Sequence, residues 1–189
     1  GIQYPSLGSL VSKEIGDPKA ELPNFVSIAP QRFFAQEAFG PGFLGPVHAP
    51  LVVGENQNFQ NVQGDGVDSL LKVADLERPE AIDGASAAVR LDLLRGVQED
   101  FASARPGAMP RSHAAAYDRA VRLMQSEGAK VFDLTTEPPA TRDRYGRNLF
   151  GQGCLLARRL VERGVPFVEV SLSNWDTHNN NFDLVKNLC

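Results

Sequence analysis

The sequence predicts an α/β fold built on a mostly parallel sheet, and three observations carry that expectation. A helical stretch over 151–163 runs through a Gly–Pro turn straight into an apolar run over 165–172. That run is rich in Val and Phe and continuous rather than strictly alternating, as in strands covered on both faces. Upstream, strand-like and helix-like segments are separated by turn residues. The chain has 189 residues, enough for one domain with a sizeable core.

From the N-terminus, Ser6 to Ile15 reads as a short amphipathic helix stopped by Gly16-Asp17-Pro18. Leu22 to Ala29 is expected to be a first buried strand. Pro30 to Gly66 is rich in Gly, Pro, Asn and Gln without periodicity, which marks a functional surface or a poorly ordered one. Gly66 to Val73 predicts a turn or two of helix. Ala85 to Ala102 is strongly helical, with Val89, Leu93, Leu94, Val97 and Phe101 at helical spacing. A second helix is expected over 112–127, with Ser112 as N-cap and Ala116, Ala120, Leu123 and Met124 on its inner face. With no strand between them, residues 85–127 are expected to form a helical insertion on one side of the sheet. Ala129 to Leu134 fits a short strand or a helical turn, followed by a loop over 135–139.

The unit 145–178 combines helix, strand and site. In its helix, Cys154, Leu155, Leu156, Leu160 and Val161 are predicted to share the apolar face, with Arg158, Arg159, Glu162 and Arg163 opposite. Gly164 suits the position after the helix and Pro166 cannot continue it. The strand is followed at once by Trp175-Asp176-Thr177-His178. Open α/β sheets bind ligands beyond the carboxyl ends of their strands. Asp176 and His178 therefore stand where such folds place their chemistry.

The bulk composition excludes several classes. Hydrophobic residues make up 42% and charged residues 22%, as in globular proteins. A net charge of −4 and a pI near 5.4 offer no electrostatic case for nucleic acid or an anionic membrane. No apolar run reaches the roughly 20 residues of a membrane span. The chain opens without methionine and stops a few residues into a helix expected from Phe182 to Leu188, so it reads as an internal fragment, incomplete at both ends. Cys154 is expected to be a buried free thiol, and Cys189 is uninformative.

Asp176 and His178 offer an oxygen and a nitrogen donor to a divalent metal ion of unspecified identity. Two ligands do not complete a site, and the same residues equally suit a turn or helix cap beside an exposed histidine. Arg142, Asp143, Arg144, Tyr145, Arg147 and Asn148 form a second cluster. Arg147 and Arg144 are its candidate anion contacts, the alternative being a solvated, salt-bridged helix start. His48 and His113 are lone histidines. No Ser–His–Asp pattern, Cys-x-x-Cys pair, phosphate-binding glycine loop or dinucleotide fingerprint occurs, so no catalytic nucleophile is identified.

The runs Tyr145-Gly146-Arg147-Asn148, Phe150-Gly151-Gln152, Leu155 to Glu162, Gly164-Val165 and Trp175 to His178 resemble the bacterial domain-of-unknown-function 1501 family. Pro5 to Ser9, Gly42 to Gly45, Ala49-Pro50, Ala120 to Met124 and Phe132 to Leu134 extend the likeness along nearly the whole chain. The resemblance implies membership of the alkaline-phosphatase-like superfamily: an α/β/α sandwich with a metal-dependent site for phosphate or sulfate esters. It implies Asp176 and His178 as metal ligands, small-molecule or polysaccharide esters as substrates, and an exported or periplasmic location. Further ligands are expected outside the residues present, so the fragment alone is expected to be inactive. The family pattern has histidine where Tyr4 stands and glycine where Asn174 stands. These departures lean toward the alternative, a non-catalytic exported scaffold or binding protein with a decayed site. Oligomeric state is left open.

Overall fold

The computed structural model describes residues 2–30, 36–54, 65–73, 75–105, 108–173 and 175–189. Its centre is a three-stranded parallel sheet of β1 (Phe25–Ile28), β2 (Leu51–Val53) and β3 (Phe167–Val170), in the order β2-β1-β3. The register pairs Val26 with Leu51 on one side of β1, and Phe25 with Phe167 and Ile28 with Val170 on the other. The expected parallel α/β core is therefore present. All four residues of β1 are buried, whereas β3 is half-buried throughout, so only the central strand is covered as the apolar run at 165–172 implied.

Period-two alternation divides the sheet between two helical layers. Val26, Ile28 and Val53 join Leu155, Leu156 and Leu160 of α6 (Leu149–Glu162) in the main core. Val67 and Leu71, from α2 (Asp65–Leu70) and the residue after it, complete this layer with Leu123, Val131, Phe132 and Leu134. On the opposite face lies α1 (Leu7–Ile15), whose N-cap Ser6 accepts from Ser9 N at 3.3 Å. A Cβ at Gly8 would fall 2.5 Å from the Phe25 ring and 2.7 Å from that of Phe167. Glycine there lets α1 lie directly on the paired rings, which meet edge to face at 5.3 Å. On the same face Ser27 Oγ donates to Glu169 Oε1 at 2.6 Å.

Helix α6 enters and leaves as its sequence dictates. Asn148 caps it by accepting from Gly151 N at 2.8 Å. At its end Val165 N donates to Leu160 O and Gly164 N to Val161 O, with Gly164 at φ +87°. This left-handed cap turns the chain within four residues into β3. The buried face, however, is Gln152, Leu155, Leu156 and Leu160. Val161 is 59% exposed and Cys154 half-buried, because each lies about 100° round from the residue beside it.

The region between β2 and β3 departs further from expectation. Helix α3 (Gly84–Ala104), capped by Asp83, contacts α4 (Ala108–Gln125). Its half-buried positions are 87, 91, 94, 98 and 102, while Val89, Leu93, Val97 and Phe101 are exposed. Since α4 begins at Ala108, Ser112 lies inside the helix rather than at its cap. Of the four residues expected on the inner face of α4, Leu123 is buried, but Ala120 and Met124 are exposed. The stretch 127–136 forms two 3₁₀ segments, and α5 (Pro139–Tyr145) follows. A final helix, α7 (Asn181–Leu188), matches the one expected from Phe182. Among the described residues no helix is long and apolar enough to cross a membrane.

Candidate functional site

Helix α6 runs opposite to β3, so its N-terminus points toward the carboxyl edge of the sheet. Gly153 fixes the height: a Cβ there would touch Val170 and Ile28, the last residues of β3 and β1, at 3.1 and 3.2 Å. Asn148 and the α5–α6 corner stand about one turn further along, beyond the strand ends. Ala29 and Gly54 turn the other two strands away with φ of +51° and +74°. The carboxyl edge thus gathers the start of α6, the α5 corner and the segment leaving β3.

Asp176 and His178 lie on that last segment. His178 Nε2 is 3.1 Å from Asp176 Oδ1, and the two side chains are 82% and 83% exposed. Thr177 N donates to Trp175 O at 3.1 Å, and the Thr177 hydroxyl bonds the Asn181 side chain at the start of α7. At 3.1 Å the two atoms are at direct hydrogen-bonding distance on the surface. By type alone, one oxygen and one nitrogen donor suit a divalent metal. Among the described residues no third His, Cys, Asp or Glu joins them.

The two predicted anion contacts differ. Arg144 borders a cavity of about 360 Å³ with Thr141, Tyr145 and Arg158. Arg147 is held by Asp143, Nε to Oδ1 at 2.6 Å, and donates to Pro139 O at 3.3 Å. Its guanidinium braces α5 and is only partly available. Tyr4, at the expected histidine position, is exposed and packs edge-on against Phe43. Asn174 lies outside the described residues.

Behind this edge is a polar network that takes Arg142 out of the exposed cluster and whose other members, Asp68 and Gln152, sequence reading missed. Arg142 is buried and donates through Nε to Gln152 Oε1 at 2.7 Å, while its guanidinium grips both oxygens of Asp68. Gln152, fully buried, returns Nε2 bonds to Arg142 O and Gly146 O. These bonds weld α2, α5 and α6 together and set the position of the Arg144 and Arg147 corner. The available signal was Gln152 on the apolar side of α6, a polar group that burial obliges to find partners. Glu137 similarly receives Arg158 and Arg159, so those arginines tie α6 to the 3₁₀ segment rather than facing water alone. Burial raises the pKa of the half-buried Cys154 thiol, which favours its neutral, less nucleophilic form. His113 stacks near Tyr117 without a polar partner of its own among the described residues.

Topology defines an α/β protein built on a three-stranded parallel sheet. The chain belongs to the family described as protein of unknown function (DUF1501), whose sequence model matches residues 1–189. No curated protein and no solved structure matches it.

Proposed function

We propose that the carboxyl edge is the working surface of a metal-dependent hydrolase of phosphate or sulfate esters. The observation that carries this reading is the Asp176–His178 pair, an oxygen and a nitrogen donor 3.1 Å apart on the segment that follows β3. Membership of the DUF1501 family supports it in so far as that family's resemblance implies the alkaline-phosphatase-like superfamily. Asp176 and His178 would hold a divalent ion, which when bound polarises the ester and stabilises the charge that develops on its oxygens. Arg144, beside an open cavity at the α5 corner, would take an ester oxygen, since guanidinium recognises phosphate and sulfate bidentately. Arg147, oriented by Asp143, would add positive potential there rather than a direct bond.

The test is metal content and aryl phosphate and aryl sulfate hydrolysis by the full-length protein, wild type against an Asp176→Ala/His178→Ala double variant. Loss of both metal and activity is expected in a variant that still unfolds cooperatively. Unchanged metal content would sink the assignment. One observation favours the second reading, a non-catalytic scaffold: the pair is open to water, whereas catalytic groups usually work in a site that excludes it. A metal-free, inactive wild type would support that scaffold.

A further inference from the structure

The opposite edge of the sheet holds a second cleft, of about 300 Å³. Asn24, immediately before β1, and Val47 and His48, shortly before β2, place it at the amino ends of the strands. Helices α1 and α4 form its walls. It shares no lining residue with Asp176, His178 or the Arg144 corner.

Its charge is unlike that of the chain. Lys13, Arg119 and Arg122 line it against one carboxylate, Asp118, although the whole sequence carries −4. Lys13 meets Glu14 at 3.4 Å in an exposed pair of little weight. Among the described residues neither Arg119 nor Arg122 has a carboxylate partner. Arg119 donates to the carbonyls of Val47 and Pro46, and Arg122 to that of Pro18. Arg122 Nε is buried and without a hydrogen-bond partner. Ser12 Oγ meets His48 Nδ1 at 3.3 Å, which orients the imidazole and leaves Nε2 as its second polar atom.

From this convergence we infer that the amino-edge cleft binds a small phosphoryl oxyanion, the phosphate group of a small metabolite. Two arginines and a lysine line the cleft beside one lining carboxylate, an excess of cations that a phosphate oxyanion would offset. The volume lies at the lower end of small-molecule sites, which suits a phosphorylated ligand of modest size. Carbonyls of Val47, Pro46 and Pro18 hold the two guanidiniums in place, and Arg122 Nε remains a buried donor without a protein partner. The electrostatic state agrees with the geometry: burial, then Arg119 and Lys13, hold the His48 pKa below its usual value, and burial with Arg122 does the same to Arg119. An anion seated among them reverses the repulsion.

The experiment is titration with inorganic phosphate at pH 7 and constant ionic strength, read from the imidazole resonances of the full-length protein. Each of the three histidines present here is assigned by its His→Gln variant. The expected result is a saturable shift of His48 and a rise in its pKa, both persisting in the Asp176→Ala/His178→Ala variant. Arg122→Gln should weaken phosphate about tenfold, as loss of a charge-assisted bond does. Lys13→Gln, a substitution at an exposed side chain, should weaken it in the same direction in a protein whose fold is not in question. A His48 signal indifferent to phosphate, or moved equally by acetate, overturns the inference. So does phosphate affinity unchanged in both variants. A response confined to His178 would instead assign phosphate to the carboxyl edge alone.

Discussion

Gly151 has no freedom to be anything else. A Cβ there would sit 1.9 Å from the Tyr145 carbonyl oxygen, which is backbone and cannot step aside. Gly151→Ala is expected to cost at least about 2–3 kcal/mol, the upper range of overpacking, measured by urea unfolding. Arg142→Ala should cost about 3 kcal/mol, because it strands Asp68 and Gln152 in a largely buried network. Arg147→Ala, which breaks an exposed pair with Asp143 and a long exposed bond to Pro139 O, should cost less than about 1 kcal/mol. His48 gives a pH signature. Its folded pKa is lowered, so between the two values the unfolded chain binds more protons than the folded one. The folded state therefore loses stability as pH falls through the unfolded value near ~6.5. Thermal melts from pH 7.5 to 5.5 should show this loss, and His48→Gln should flatten it.

At the scale of elements, helical spacing identifies residues that share a face but not whether another element covers that face. Val89, Leu93, Val97 and Phe101 do share one side of α3, yet the side turned toward the rest of the protein is the 87–91–94–98–102 stripe. Leu93→Ser is accordingly expected to change unfolding free energy by no more than about 0.5 kcal/mol. Leu155→Ala, in the core beneath α6, should cost about 2–5 kcal/mol. Where boundaries rest on local chemistry they were legible: the start of α1 near Ser6, the Gly164 stop of α6 and the start of α7 fall within a residue or two of expectation. Strand β2 was not, because three residues inside a Gly- and Pro-rich stretch carry no period. The sites divide in the same way. Asp176 and His178 are two residues apart, so their proximity could be read directly. The amino-edge cleft joins residues near positions 12, 48 and 119, and only the folded chain reveals that His48 is not alone.

For the whole molecule, the sheet supplies two chemically different ends. One carries an oxygen–nitrogen donor pair and the start of α6; the other carries an excess of cations. Sequence indicated parallel strands through the α6–β3 connection but not their order, since β1 pairs with strands reached by a short path on one side and a very long one on the other. That asymmetry has a consequence for how the protein is made. Ser27 and Glu169, bonded across β1 and β3, lie 142 positions apart. At roughly 5–20 residues per second, a ribosome needs roughly 7–28 s to deliver the second after the first. Through that interval the central strand has a neighbour on one flank only, and its other row of amides and carbonyls stays open to any strand nearby. The nascent chain is thus most exposed to mispairing and to chaperone capture before β3 emerges, and slowing translation between β2 and β3 should lower the soluble yield.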